Sequence, residues 1–149
     1  MRAPLVKSVM TPFPYSVAFD APIEAAQTMM REHGVRHLPV TRDGELHGIV
    51  TDRDMRRLLG STLQRATADR LAEGLTVGDV CVDDCYRVEL NTPLAVVLHA
   101  MADRHIGAAL VTTHGRLAGI FTTTDACRTF AAHLDRQFGG PSDGPVDAA

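Results

Sequence analysis

Residues 6–59 of this 149-residue chain lie over residues 77–130 without a gap, at a constant offset of 71 positions, with fifteen identical pairs. Val9/Val80, Tyr15/Tyr86, Pro22/Pro93, Met30/Met101, Gly44/Gly115 and Leu46/Leu117 are among them. Two unrelated stretches of that length would share about three identities, on the order of one in twenty per position. The chain is therefore a tandem repeat, and one architecture must serve both halves. A unit this small cannot bury its own apolar face, so the copies are expected to pack on each other through their sheets.

The repeat is sharpest where Gly48-Ile49-Val50-Thr51-Asp52-Arg53-Asp54 meets Gly119-Ile120-Phe121-Thr122-Thr123-Thr124-Asp125. Each copy runs from a short apolar strand into Thr-x-x-Asp and then into a helical pattern. The spacing fits a capping box, with Thr51 and Thr122 as N-caps and Asp54 and Asp125 in the third helical position. The same geometry also fits a ligand site, though for one isolated copy the cap is the simpler reading. A helix N-terminus with free amides and a hydroxyl attracts phosphate, and a carboxylate three residues on can accept both hydroxyls of a ribose. The glycine before each segment lets a ligand approach the backbone. Two such copies in register favour the ligand reading.

The remaining pattern gives each copy the order β-α-β-β-α. Val6, Val9 and Met10 form a short helical turn, Pro12 and Pro14 break it, and Tyr15 to Phe19 alternate like a strand. Pro22 stands in the first turn of a helix with Ile23, Ala26, Met29, Met30 and His33 on one face, and Gly34 stops it. Val35 to Thr41 and Leu46 to Val50 are strands joined by an Arg42-Asp43-Gly44-Glu45 turn, and Thr51 starts a helix reaching about Gly60. The second copy repeats this, with a helix from Pro93 capped by Thr92, strands near 108–112 and 117–121, and a last helix from Thr122 to about Phe138. Repeat one thus spans 1–60 and repeat two 77–138, with a polar, Ala-rich connector of partial helix at 61–76 and a disordered tail at 139–149.

Composition narrows the function. With 45% hydrophobic and 22% charged residues the chain suits one compact soluble domain. No run of 18 apolar residues and no apolar signal core after Met1 are present, so no membrane association and a cytoplasmic location are expected. A net charge of −3 supplies no field for nucleic acid. Cys81, Cys85 and Cys127 lack paired C-x-x-C spacing and are read as reduced thiols, Cys81 and Cys85 giving only a weak metal or redox signal. The seven histidines are scattered over turns, strands and helices, so no catalytic group and no metal site is assigned; His47 and His114 flank hairpin turns and are read as solvated. Arg53, Arg56 and Arg57 form a basic cluster in the second helix. They either pair with Asp52 and Asp54, or Arg53 reaches a ligand phosphate.

These features together resemble a tandem pair of CBS domains, the Bateman module named after cystathionine β-synthase, over residues 5–130 or so. Val9-Met10-Thr11-Pro12 is similar to the family's opening, Val35-Arg36-His37-Leu38-Pro39-Val40 to its apolar-x-x-apolar-Pro strand, and each Gly-apolar-apolar-Thr-x-x-Asp to its nucleotide motif. The resemblance implies an α+β fold of two β-α-β-β-α repeats related by a pseudo-two-fold, with three-stranded sheets inward and helices outside. It implies regulatory binding of AMP, ADP, ATP or S-adenosylmethionine in clefts between the repeats, with no catalysis and no required cofactor. By position, Thr51 and Thr122 would hold phosphate, and Asp54 and Asp125 ribose. Ser16, Val17, His37, Leu38 and Pro39 would line one site, and Arg87, Val88, Ala108 and Ala109 the other. Three departures set the second copy apart: Leu110 for Pro39, His105 for Gly34, and Thr123-Thr124 for Asp52-Arg53.

Side-chain chemistry extends that asymmetry, since Arg53 would let the first site favour highly charged nucleotides and the second a monophosphate or a ligand without phosphate. Apolar positions in excess on helices 22–33 and 93–104 point to a homodimer, as family members commonly form. Any output would pass through oligomer state or through a separate regulated protein. The competing reading is a purely structural dimerisation module in which Thr-x-x-Asp only caps helices.

Overall fold

The computed structural model describes residues 2–59 and 74–140; most of the expected connector and the end of the expected tail lie outside them. A 3-10 turn at Val6–Ser8 precedes β1 (Thr11–Pro12), β2 (Val17–Ala18), α1 (Ile23–His33), β3 (His37–Arg42), β4 (Glu45–Thr51) and α2 (Asp52–Leu59). The second half gives α3 (Val77–Val80), β5 (Arg87–Glu89), α4 (Leu94–Arg104), β6 (Ala108–Thr113), β7 (Arg116–Thr122) and α5 (Thr123–Phe138). The fold is α+β, and the two halves share the order β-α-β-β-α; their leaders differ, a 3-10 turn and the strand β1 in the first standing where the second has α3 and an isolated bridge at Val82.

The sheets have the orders β2-β3-β4 and β1-β7-β6-β5. The second therefore has four strands where three were expected, because β1 comes from the start of the chain and pairs antiparallel with β7, Thr11 opposite Ile120. The exchange is reciprocal. Leu5 bridges Pro93 while Thr76 bridges Pro22, and Ile49 bridges Val82 just as Ile120 pairs with Thr11. Every one of these pairs maps onto its counterpart at the offset of 71, so the leader of each repeat is bound to the body of the other. Val6 is fully buried among Val88, Leu94, Val97, Met101 and Phe121, and Val77 among Ile23, Leu38, Val40 and Val50. Burying one such aliphatic side chain stabilises by about 1.5–3 kcal/mol.

A third cluster joins the sheets. Leu46 and Ile49 of β4 meet Leu110, Leu117 and Ile120 of β6 and β7. A bulge interrupts each hairpin beside this cluster. Val40 stands opposite Gly48 but Thr41 opposite Leu46, which leaves His47 as an extra residue; Ala118 holds the same place in the second hairpin. Both hairpins turn through two residues of positive φ, Asp43-Gly44 and His114-Gly115, the mirror-image turn whose twist matches the strands.

The structure corrects several local readings. The strand expected over Tyr15–Phe19 shrinks to Val17–Ala18. Leu110 donates its amide to Tyr86 O at 2.9 Å, whereas Pro39, at the equivalent place, has no amide to give Tyr15. Thr92 does not cap α4: the cap position is Pro93, with no side-chain hydrogen bond, and the Thr92 carbonyl instead accepts from Val6 N at 2.9 Å. Pro22 likewise caps α1 instead of standing within it. His105 ends α4 at φ 52°, the left-handed conformation that Gly34 adopts at 63°. For a residue with a Cβ that costs about 1–2 kcal/mol.

The equivalent glycines Gly48 and Gly119 differ in what a methyl group would meet. At Gly48 a Cβ would strike the backbone carbonyl of Val82, which the leader pairing holds in place; at Gly119 it would meet the flexible end of Met10. Gly48→Ala is therefore expected to lower unfolding free energy by about 1–3 kcal/mol, and Gly119→Ala by less. Urea denaturation of both variants measures the difference, and equal losses would refute the leader contact as its cause.

Candidate ligand sites at the two Thr-x-x-Asp segments

Each Thr-x-x-Asp sits where the last strand of a hairpin enters a helix, and each forms the same hydrogen-bonded box. Asp54 Oδ2 accepts from Thr51 N at 3.2 Å and from Thr51 Oγ1 at 2.8 Å, while Asp54 N donates to Thr51 Oγ1 at 3.1 Å. In the second copy Asp125 Oδ2 accepts from Thr122 N and Oγ1 at 2.8 and 2.9 Å, and Asp125 N donates to Thr122 Oγ1 at 3.3 Å. The capping reading thus describes both segments as they stand. A box of this kind contributes about 1 kcal/mol to its helix.

The box uses only one carboxylate oxygen. Among the described residues, nothing donates to Asp54 Oδ1, whereas Asp125 Oδ1 accepts from Thr11 Oγ1 at 3.4 Å. Thr11 belongs to the exchanged leader, and its equivalent on the other leader is Val82, which has no hydroxyl. The two sites are therefore chemically unequal for a reason that lies outside either segment.

His37 stands at the start of β3 opposite Thr51, with its ring against the backbone of Gly107 in the other repeat. A Cβ on Gly107 would lie 3.1 Å from His37 Nε2 and 3.6 Å from Thr123 Oγ1, so a larger residue there would push the imidazole back by a few tenths of an ångström. Burial holds the imidazole below its ordinary pKa against the opposing pull of the Asp54 carboxylate, and Arg36 adds to the lowering. A neutral ring thus lies beside Asp54 and against the residue whose carbonyl accepts from Thr123 N at 3.0 Å.

Other expected site residues are placed differently. Val17 and Leu38 have their side chains in the first core, Val88 and Ala109 in the second, and Ala108 between the sheets. Pro39 is fully buried, so these residues offer a ligand backbone only. Ser16 is half-buried beside Val17, and Arg53 is exposed on α2, where Arg56 pairs with Asp52 at 2.9 Å. Arg87 reaches across to repeat one. Its guanidinium donates to the carbonyls of Leu46 and His47 at 3.1 and 2.8 Å, tying repeat two to β4.

His47, expected in solvent, is half-buried. Its Nε2 lies 3.0 Å from Asp83 Oδ1 and its ring meets Phe19 edge-on at 4.6 Å, with Cys81 close by. The bulge re-aims His47 toward the second leader, and sequence spacing carries no sign of that.

The CBS domain family model matches residues 6–61 and 77–132. The chain belongs to the CBS domain family. Hypoxic response protein 1 of Mycobacterium tuberculosis is 33% identical over 118 residues, covering 78% of each chain. The crystal structure of that relative, with two coordinated zinc ions, superposes at a TM-score of 0.67, with 26% identity over 84% of this chain and 98% of its own. A Vibrio cholerae protein described as the acetoin utilization protein AcuB matches at a TM-score of 0.80 and 23% identity, covering 94% and 99% of the two chains. CBSX2, solved in complex with AMP, matches at 0.73 and 24% over 86% and 97%.

The lowered pKa of His37 fixes the sign of a pH effect. The unfolded imidazole binds a proton near pH 6.5 and the folded one only at lower pH, so this residue's contribution is intact above about 6.5 and declines below it. Stability should fall between about pH 7 and about pH 5, and the fall should be smaller in His37→Gln. Denaturant midpoints at both pH values test this; an undiminished fall in the variant would remove His37 as its source.

Proposed function

We propose that this CBS pair is a regulatory module that binds adenine-containing nucleotides at its two Thr-x-x-Asp segments, without chemistry of its own. The observation that carries the reading is the box duplicated where the hairpin enters a helix in both repeats; a third box, Thr76 with Asp79, caps the four-residue α3 and has no counterpart at the offset of 71. Two equivalent helix N-termini each hold a fixed carboxylate next to a threonine hydroxyl, and in the first copy the second carboxylate oxygen is open for a ribose hydroxyl. The complex of CBSX2 with AMP supports the ligand class. Thr51 and Thr122 would meet phosphate, Asp54 and Asp125 ribose, and His37 with the backbone of Ser16, Val17, Leu38 and Pro39 the base. In the second site the backbone near Val88, Ala108 and Ala109 takes that part.

The sites should differ in strength. At the second, a ribose hydroxyl has to displace Thr11 from Asp125, and Thr123 and Thr124 replace Asp52 and Arg53. The first site is therefore expected to be the tighter one and to favour nucleotides of higher charge through Arg53. The purely structural reading, in which the boxes only cap, makes the opposite forecast: ligand leaves stability untouched.

A thermal-shift panel of AMP, ADP, ATP, NADH and S-adenosylmethionine should raise Tm with at least one, since a ligand of the native state stabilises it by mass action. Titration calorimetry should then show Asp54→Ala weakening the first site roughly ten- to a hundredfold, the worth of hydrogen bonds to an ionised group. No shift at millimolar ligand would favour the structural module, and intact binding in both Asp54→Ala and Asp125→Ala would remove the ribose role.

The reading also includes a homodimer as the route by which ligand state reaches a regulated cytoplasmic partner. Val96 and Leu98 on α4 are exposed, and Phe130, Leu134 and Phe138, four residues apart on α5, extend the apolar surface. Sedimentation equilibrium at tens of micromolar should give twice the chain mass of 16.1 kDa. A single-chain mass there would exclude the dimer.

A further inference from the structure

We propose that His47, Cys81 and Asp83 form a site for a divalent transition metal, Zn2+ by preference, at the junction of the first sheet with the second leader. One ligand atom from each lies within 4.8 Å of the other two. The His47 Nε2 to Asp83 Oδ1 distance is 3.0 Å and the Cys81 Sγ to Asp83 Oδ1 distance 3.8 Å. Around a tetrahedral zinc, with bonds of about 2.0–2.3 Å, such atoms stand roughly 3.2–3.8 Å apart. Two of the three separations already approach that spacing, and the third, between His47 and Cys81, is no more than 4.8 Å.

The backbones of all three residues are held. His47 is the bulged residue of β4, and its carbonyl and that of Leu46 accept from Arg87. Ile49 and Val82 exchange both backbone hydrogen bonds, at 3.1 and 2.9 Å, which fixes the leader between Cys81 and Asp83 against the strand. Cys81 follows the last turn of α3, its amide bonded to Val77 O at 2.9 Å and its thiol 3.7 Å from Gly78 O. Phe19 covers one edge of the His47 ring, while Asp83 is exposed and leaves a path for an ion.

The donor set selects the metal. One thiolate, one imidazole and one carboxylate suit zinc, with a fourth position for water, and disfavour the oxygen-seeking Mg2+ and Ca2+. A thiolate and a carboxylate offset the charge of the dication. The neighbouring guanidiniums are engaged elsewhere, Arg87 on carbonyls and Arg42 over the Phe19 ring at 4.7 Å. On binding, the Cys81 thiol gives its proton to solvent and the ion exchanges hydration waters for the three side chains; no oxidant is required. The bound ion joins a strand of repeat one to the leader of repeat two, and so acts on the exchange that holds the halves together.

The test uses the full reduced chain, stripped with a chelator and titrated with Co2+. One equivalent per chain should develop a thiolate-to-cobalt charge-transfer band, which Zn2+ abolishes by displacement. Zn2+ should protect Cys81 from alkylation, read by mass spectrometry, and leave Cys127 reactive. Cys81→Ser should lose the charge-transfer band, Cys127→Ser should keep it, and His47→Gln should weaken Zn2+ roughly tenfold or more. The absence of saturable uptake, a band that survives in Cys81→Ser, or equal protection of Cys81 and Cys127 would each overturn the site. Should Cys81→Ser fail to fold by circular dichroism, alkylation of the unaltered chain decides the question alone.

Discussion

Everything in this molecule depends on the exchange of leaders. Val6 lies in the core of the second repeat and Val77 in that of the first, each at zero exposure, and each leader completes its host's hydrogen bonding with short backbone contacts. Each repeat's core is completed by a buried valine of the other. Removing one leader would open a cavity at a fully buried valine and strip a strand or bridge from the host sheet, costs that large-to-small substitutions place at several kcal/mol together. Unfolding of one half therefore exposes part of the other, so the chain should behave as a single cooperative unit although it is built twice.

The same exchange explains where sequence reading reached and where it stopped. Elements set by neighbours in the chain were legible: the Asp43-Gly44 turn, the Ile23/Ala26/Met30 face and the Gly34 stop all rest on local rules of propensity and backbone conformation. The register between copies was legible too, because fifteen identities at one offset fix it. The fourth strand of the second sheet was not, since nothing in Thr11-Pro12 tells which repeat it will join. The shortened β2 was readable in principle, for Pro39 lacks the amide that Leu110 donates to Tyr86 O. Reading it required knowing that the strand lies beside β3.

The candidate sites divide along the same line. Thr51/Asp54 and Thr122/Asp125 are three residues apart and share a helix start, so their boxes follow from sequence alone. Thr11 on Asp125, Arg87 on the carbonyls of β4, and His47 beside Asp83 and Cys81 are pairings between segments far apart in the chain. They join residues that only the assembled pair of repeats brings together. Arg87 shows the same dependence: its equivalent, Ser16, is too short to cross the junction, whereas the long guanidinium reaches the carbonyls of Leu46 and His47.

The capping boxes and the ligand reading are compatible, because they use different atoms of one carboxylate. Oδ2 holds the helix N-terminus and so fixes the direction in which Oδ1 points, which is the preorganisation that a ribose-binding group needs. An unrestrained aspartate would have to lose rotamer freedom on binding, whereas here the Thr51 amide and hydroxyl have already fixed it. In the second copy the same restraint delivers Oδ1 to Thr11, a residue of the first repeat's leader. A ligand that displaced Thr11 would act directly on the segment whose exchange holds the molecule together. On the proposed reading, occupancy of the second site would be tied to the leader's attachment, while a ligand at the first site, where the residue equivalent to Thr11 is Val82, would break no such side-chain hydrogen bond.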